Sequence, residues 1–234
     1  MTTLTADKLI HELPMLGVDT ETTGRDSRTA RLVTASLIFS IPGEETVVMS
    51  WLANPGVEIP KEASDVHGIT TEHAKLFGRS PFDVLTEIAA ELEKWVATGN
   101  PLVAYNAPYD FTLLREEFRR HGVAFNGNFG KVLDPYVMDK WLDKWRKGKR
   151  DLEAASAHYK VSLTDAHSAD ADALAAVGVA RAILRKFKIS SNLSDFHDAK
   201  MKQKEIQSVS LQAYLRRTDP TAVVEGSWPV LSSL

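Results

Sequence analysis

Two acidic side chains near the start of the chain are spaced as a pair of metal ligands would be. The stretch Val18-Asp19-Thr20-Glu21-Thr22-Thr23-Gly24 alternates acids with threonines. On an extended backbone Asp19 and Glu21 point to the same face, about 7 Å apart. Carboxylates held this close both stay ionised when a cation lies between them, and Mg²⁺ or Mn²⁺ prefers such oxygen ligands. A strand that ends in polar residues before a turn explains the same pattern, so the rest of the chain must decide.

A second acidic position opens a helix directly after a short apolar strand. Asn106-Ala107-Pro108-Tyr109-Asp110 follows the strand predicted at Leu102 to Tyr105. Asn106 suits a helix cap, Pro108 a first turn, and Asp110 the positive end of the helix dipole. That structural interpretation is complete by itself. The alternative is catalytic, because ligands of open α/β sheets bind beyond the carboxyl ends of the strands.

The third acidic position opens a long alanine-rich helix, predicted from Ser168 to Phe187. If Ser168 caps this helix, Asp172 is fixed on its second turn, whereas His167 lies outside the helix and can swing over the aspartate. A surface histidine before two acids near a positive helix end is an equally good interpretation. Asp165 and Asp170 could be solvated or capping acids.

The elements that must position these residues alternate between strands and helices. Strands predicted at Leu13–Asp19, Arg31–Ile41 and Thr46–Trp51 have short connections and indicate an antiparallel meander. Two more strands, at Leu102–Tyr105 and Val132–Asp134, are each followed by a helix. Residues 54–79 look irregular and polar. The other predicted helices run over 80–96, 106–121, 136–145, 152–159 and 194–217. This order predicts an α/β fold with a mixed sheet covered by helices.

Composition narrows the class of protein. The chain has 234 residues, 44% of them hydrophobic and 25% charged, as in ordinary globular proteins. Its net charge of −3 argues against a protein that coats nucleic acid with a surface that is basic throughout. It has no cysteine, which excludes disulfides, thiolate metal sites and cysteine nucleophiles. We find no signal peptide or membrane span and expect a cytoplasmic protein.

Taken in chain order, the three acidic positions resemble the motifs of the DEDDh 3′–5′ exonucleases. That family includes the bacterial polymerase epsilon proofreading subunit, exonuclease X and ribonuclease T. Val66-His67-Gly68-Ile69-Thr70 also resembles the loop that these proteins carry between the first two motifs. The sister group would need a tyrosine where Ser168 stands. The matching catalytic residues are Asp19, Glu21, Asp110, His167 and Asp172.

The resemblance covers about residues 13 to 188 and implies a ribonuclease H-like mixed five-stranded sheet flanked by helices. It assigns residues 1–188 to an exonuclease domain, and we expect 189–234 to be a helical extension packed on the core. It implies hydrolysis of DNA 3′ ends, single-stranded in our expectation, to nucleoside monophosphates.

The same resemblance implies a role for each acidic residue. Two Mg²⁺ or Mn²⁺ ions would be held by Asp19, Glu21, Asp110 and Asp172. Asp19 would contact both ions, Glu21 and Asp172 would bind the ion that activates water, and Asp110 would help to hold the second. His167 would act as general base, because histidine suits proton transfer near neutral pH.

Other residues are candidate substrate contacts. The basic segment 146–150, with Trp141 and Trp145 nearby, could follow phosphates and stack bases, or could be a solvated turn. Candidates for the terminal nucleotide are Thr20, Thr22, Thr23, His67, Asn106 and Phe111.

Three alternatives stay open from the sequence. The site could trim RNA 3′ ends, because the motifs describe phosphate chemistry and not the sugar. The chain could serve mainly as an accessory subunit that contacts a DNA polymerase or its clamp. It could also be an inactive nucleic-acid-binding relative, although the complete set of five catalytic residues argues against that.

Overall fold

A mixed sheet forms the centre of the structure, a computed structural model that describes residues 8–163 and 167–232. The five strands lie in the order β3-β2-β1-β4-β5. They are β1 (Met15–Thr22), β2 (Leu32–Ser40), β3 (Val47–Leu52), β4 (Leu102–Val103) and β5 (Val132–Leu133). The first three form the predicted antiparallel meander, and β4 and β5 extend the sheet in parallel with β1. The predicted mixed five-stranded sheet is confirmed.

Helices cover this sheet, as predicted. They are α1 (Lys61–His67), α2 (Thr71–Phe77), α3 (Pro81–Val96), α4 (Pro108–His121), α5 (Pro135–Leu142), α6 (Leu152–Tyr159), α7 (Ala169–Lys186) and α8 (Leu193–Leu215). The expectation of an irregular segment over 54–79 was wrong, since α1 and α2 lie there. Between them these two helices bury only Ala74, so they lack the apolar stripe that reveals a helix in a sequence. None of the described helices is long and apolar enough to span a membrane.

The ends of several elements differ from the prediction. β1 continues past its predicted end, so Asp19 and Glu21 lie inside the strand and pair with Ser36 and Thr34 of β2. The backbone of β2 extends the pairing through polar residues that look like a strand exit. Of the loose lead-in predicted at 1–12, residues 1–7 lie outside the described residues, and Ile10–Glu12 forms one 3-10 turn.

Gly17 determines how closely α7 packs on β1. A Cβ atom at Gly17 would lie 2.7 Å from the carbonyl oxygen of Ala173 and 2.9 Å from Cγ2 of Val177. Side chains alternate along a strand, so Gly17, Asp19 and Glu21 share the face that α7 covers. Leu16 and Val18 face the opposite way, into the core formed with α3 and α4. The glycine thus brings a helix directly over the strand that carries the first two acids.

The C-terminal segment packs on the same core. Helix α8 lies against α5, where the rings of Trp141 and Phe196 stack at 5.6 Å. The tail after α8 reaches α4, because the Leu231 N–H donates to the Thr112 hydroxyl at 2.8 Å. Arg28, in the loop after β1, pairs with Glu225 at 2.5 Å. The boundary at residue 188 between two domains stays a prediction.

Candidate metal centre and active site

Three carboxylates converge where β1 meets α7. Asp19, Glu21 and Asp172 each offer an oxygen, and these oxygens lie within 4.8 Å of one another. The first two come from one face of β1, and Asp172 comes from the first turn of α7, where its N–H donates to the Ser168 carbonyl at 2.9 Å. All three side chains are partly buried. The close approach of α7 over Gly17 therefore supplies the third carboxylate.

The electrostatics of this group fit a divalent cation. Burial, followed by repulsion from the other carboxylates, raises the pKa of Asp19 well above its usual range. Burial raises the pKa of Glu21 to about 8, with smaller contributions from Asp172 and Asp110. Among the described residues, no lysine or arginine forms an ion pair with Asp19 or Glu21. Carboxylates this close cannot all be ionised unless a cation joins them, and oxygen ligands suit Mg²⁺ and Mn²⁺.

Asp110 lies next to this group but outside the close set of three. It stands in the first turn of α4 and is buried, and its Oδ1 accepts a hydrogen bond from the Thr20 hydroxyl at 2.7 Å. Burial raises its pKa, and the Thr20 hydroxyl opposes that rise. The charge of Asp110 also raises the pKa of both Asp19 and Glu21. All four acids predicted as metal ligands thus interact electrostatically at one edge of the sheet.

His167 stands at the rim of the same site. Its side chain is exposed and its backbone is left-handed, with φ of 69°. Together with Glu21 and His67 it lines a cavity of about 650 Å³. Helix α7 begins after Ser168, although the Ser168 hydroxyl does not accept a helix N–H as expected of a cap, and donates instead to the Asp170 carboxylate. Asp165 lies outside the described residues.

A second cavity of about 560 Å³ borders Glu21 on the side of α1. Glu21, Val66 and His67 line both cavities, so the two form one cleft that passes Glu21. Burial lowers the pKa of His67, and its Nδ1 accepts the Ile69 N–H at 3.2 Å. The segment that resembles the family loop between the first two motifs is therefore a wall of the cleft.

The three threonines have protein partners. Thr20 bonds to Asp110, as described. The buried Thr22 donates to the Gly24 carbonyl at 2.8 Å and lies 2.5 Å from the Tyr109 hydroxyl. The Thr23 hydroxyl accepts the Arg31 N–H at 2.9 Å. These hydroxyls hold the strand end and its loop together, and contact of the three threonines with a terminal nucleotide stays a prediction.

Phe111 and Asn106 differ from expectation, Phe111 as a ligand contact and Asn106 as a helix cap. Phe111 is 0% exposed and stacks on Phe129 at 4.6 Å, so it belongs to the core and has no surface for a ligand. Asn106 is exposed but does not cap α4, because the N-cap is Ala107 and Asn106 has a left-handed backbone with φ of 63°. The chain therefore turns at Asn106, one residue before the N-cap of α4.

A buried carboxylate binds the backbone of this loop and holds the turn in place. This residue, Asp134, was not singled out in the sequence analysis. Asp134 accepts the N–H of Asn106 at 3.0 Å and the N–H of Ala107 at 3.1 Å. It also accepts N–H groups of its own helix, α5. Its position before Pro135 signals a helix cap, but no local pattern reveals the bonds to a loop 28 residues earlier. Asp134 therefore fixes the loop that leads into Asp110.

The basic segment 146–150 is largely structural. Arg146 binds Asp139 through two hydrogen bonds of 2.9 and 2.8 Å. Arg150 donates to the same carboxylate at 2.7 Å and to the carbonyls of Asp143, Lys144 and Arg146. The two arginines thus close the turn between α5 and α6 and are not free to follow phosphates.

Comparison with known proteins places the chain among nucleases. Residues 16–180 match the family model of the RNase T type, described as an exonuclease. A DNA polymerase III subunit epsilon-like protein of Rhodobacter capsulatus is 30% identical over 136 residues, which cover 57% of this chain and 18% of that protein. A PolC-type DNA polymerase III of Clostridium perfringens is 24% identical over 195 residues, 83% of this chain and 13% of that protein. The chain thus spans less than a fifth of either relative.

Solved structures share the fold. E. coli Exonuclease I in complex with a dT13 oligonucleotide superposes with a TM-score of 0.60 at 18% identity, over 75% of this chain and 43% of that one. Exonuclease X in complex with 5′ overhanging duplex DNA gives a TM-score of 0.57 at 19% identity, over 80% of this chain and 99% of that one. The ribonuclease H-like architecture expected from the motifs is therefore confirmed. The family model covers most of the chain, and the chain belongs to the exonuclease family, consistent with the DEDDh group.

Proposed function

We propose that this nuclease removes nucleoside monophosphates one at a time from the 3′ end of DNA. The observation that carries the proposal is the convergence of Asp19, Glu21 and Asp172 within 4.8 Å beside Asp110. Such a set of acids has the charge and the ligand chemistry to hold two Mg²⁺ or Mn²⁺ ions. Bound divalent ions would neutralise the phosphate, help to ionise water and stabilise the leaving 3′ oxygen.

Each acidic side chain has its own proposed role as a metal ligand, and His167 has the proposed role of general base. Asp19 is central, since the charges of Asp110, Glu21 and Asp172 all act on it, and it would ligate both ions. Glu21 and Asp172 would complete one ion site, and Asp110, held by Thr20, would contribute to the other. His167 lies on the solvent side of the cleft, where an imidazole nitrogen can take a proton from the attacking water and release it to solvent.

The choice of DNA is supported by the proteins that this chain resembles. One relative is named as a DNA polymerase III subunit epsilon-like protein and the other as a PolC-type DNA polymerase III, and the two structures described above contain DNA. Because the chain spans a small part of those relatives, contact with a polymerase or a clamp is a separate proposal. Co-elution of the purified chain with a polymerase would support it.

One assay tests polarity and substrate together. Single-stranded DNA and RNA of the same sequence, labelled at the 5′ end, are incubated with the protein and Mg²⁺, with EDTA as a control. We expect a ladder of labelled DNA that shortens by single nucleotides, and loss of that ladder in Asp19→Asn and His167→Ala. Asp198→Asn, an exposed acid on α8, serves as the matched control.

Each other outcome contradicts a definite part of the proposal. Immediate release of the labelled 5′ nucleotide would reverse the polarity. Faster shortening of RNA would make the protein an exoribonuclease. Absence of metal-dependent cleavage of either polymer would leave a nucleic-acid-binding relative without activity.

A further inference from the structure

A groove of about 900 Å³ lies between α5 and α8, away from the carboxylates. Its walls come from α5 with the turn that follows, and from the outer face of α8. The side chains that line it include Lys140, Lys144, Trp145, Gln207, Leu211 and Tyr214. The sequence analysis singled out this turn for its basic residues, two of which have a structural role.

The charge of the groove is positive. Every side chain that lines it is cationic, aromatic, apolar or an uncharged polar group. The nearby carboxylate of Asp139 is buried and bound by Arg146 and Arg150. On a chain with a net charge of −3, this groove is a local site for a polyanion.

The aromatic rings of the groove are exposed and lie next to cations. Trp145 is 84% exposed and Tyr214 is 63% exposed. The Lys144 ammonium lies 4.8 Å from the Trp145 ring centre, and the Arg217 guanidinium lies 5.7 Å from the Tyr214 ring centre. Aromatic faces beside cations suit single-stranded nucleic acid, because its bases stack on the rings and its phosphates pair with the positive charges.

A series of contacts connects the groove to the active site. The Lys140 ammonium lies 4.9 Å over the ring of Tyr136, and that ring meets Tyr105 edge-on at 6.0 Å. Tyr105, Tyr136 and Asn106 line a further cavity of about 560 Å³, together with Lys149, Arg150 and Asp151, whose carboxylate caps α6. Asn106 lies just before the helix that carries Asp110. Polar, aromatic and basic side chains thus extend from the edge of the catalytic site to the groove.

We propose that the groove between α5 and α8 binds the single-stranded nucleic acid on the 5′ side of the nucleotide being removed. This inference rests on the proposed exonuclease function, and it adds a second contact region for the same polymer. The positive charge and the exposed rings favour nucleic acid over a protein segment as the occupant. Longer strands should therefore bind more tightly than strands that reach only the catalytic site.

The test measures affinity as a function of strand length. Fluorescence anisotropy of 5′-fluorescein dT4 and dT20 in EDTA reports binding without hydrolysis. We expect Lys144→Glu and Trp145→Ala each to weaken dT20 binding about tenfold. Lys144→Glu should also reduce the slope of log affinity against log salt concentration by about one, the contribution of one phosphate contact. Lys94→Glu makes the same charge change on α3, where the lysine is 70% exposed, and should change the affinity less than twofold. Quenching of tryptophan fluorescence by dT20 should decrease in Trp145→Phe.

The outcomes separate this inference from the proposed function. If the wild type shortens dT20 in Mg²⁺ while Lys144→Glu and Trp145→Ala bind dT20 as tightly as Lys94→Glu, the groove proposal is overturned and the exonuclease stands. If Lys144→Glu and Trp145→Ala weaken dT20 binding but the wild type shortens no polymer, the groove proposal is supported and the proposed exonuclease activity is contradicted. Capture of a protein partner that requires Trp145, together with unchanged dT20 affinity, would make the groove a protein-docking surface and would also overturn the proposal.

Discussion

The indole Nε1 of Trp228 donates a hydrogen bond to Oδ2 of Asp134 at 3.2 Å, although 94 residues separate them in the chain. The same carboxylate binds the N–H groups of Asn106 and Ala107 and those at the start of α5. The C-terminal tail, α5 and the loop before α4 therefore meet at one buried charge. Since Asp110 stands in the first turn of α4, the tail stabilises an element of the active site.

Trp228→Phe should destabilise the protein by about 1–3 kcal/mol, because the ring stays while the hydrogen bond to a buried carboxylate is lost. Urea unfolding followed by circular dichroism measures the change. Trp145→Phe, at a ring that is 84% exposed, is the control and should change the free energy of unfolding by less than about 0.5 kcal/mol. Equal losses of stability in the two variants would show that the hydrogen bond from Trp228 to Asp134 does not stabilise the fold.

Gly17→Ala should lower both stability and metal affinity. The added Cβ meets the backbone oxygen of Ala173 at 2.7 Å, so α7 must move away from β1 and take Asp172 with it. We expect a loss of about 1–3 kcal/mol in the free energy of unfolding and a weaker Mn²⁺ affinity by calorimetry. Gly226→Ala is the control, because its Cβ would have no neighbour closer than 3.7 Å. Wild-type Mn²⁺ affinity in Gly17→Ala would show that α7 does not set the position of the third ligand.

Asp19→Asn should stabilise the metal-free protein, because it removes one of several mutually repelling carboxylates. In EDTA at pH 7 we expect a gain of about 1 kcal/mol, the order of one pKa unit. Mn²⁺ should then raise the melting temperature of the wild type but not that of the variant. Asp198→Asn should match the wild type in both conditions. A metal-free Asp19→Asn protein that is less stable than the wild type would argue that the acids are structural.

Lys200 should make stability depend on alkaline pH. Its side chain is 0% exposed, and burial lowers its pKa to about 7, against an attraction to Asp134. Between pH 7 and about 10 the unfolded chain holds a proton on this lysine that the folded chain has lost, so the free energy of unfolding rises with pH. In Lys200→Met this contribution should disappear. Parallel stability curves of the wild type and Lys200→Met from pH 7 to 10 would contradict a neutral Lys200.

The sequence predicted the sheet and most helices because their apolar residues recur at regular spacing. It could not predict α1 and α2, because these helices bury almost no apolar side chain. It also placed the end of β1 too early, because backbone pairing with β2 continues through polar residues that look like the end of a strand. The acids Asp19, Glu21 and Asp172 could be grouped only through the resemblance to a family. Their approach to one another depends on how α7 packs over Gly17, which is a tertiary contact.

The protein partners of the predicted substrate-contact residues could not be read from the sequence for a related reason. Threonine hydroxyls beside catalytic acids can serve a ligand or the protein, and the partners that decide, Asp110 and Tyr109, are 90 and 87 residues away from Thr20 and Thr22. Phe111 follows Asp110 in sequence but points into the core, because successive residues of a helix face different directions. Long-range partners of polar groups leave no periodic signal in a sequence.

Binding of Mn²⁺ to the apoprotein, followed by electron paramagnetic resonance, tests the central claim that Asp19, Glu21 and Asp172 form one divalent metal centre. We predict that the wild type binds two ions and that Asp172→Asn loses at least one of them. Asp170→Asn, an exposed acid two residues earlier on the same helix, should bind as the wild type does. Unchanged Mn²⁺ binding in Asp172→Asn, or equal losses in the two variants, would contradict the account.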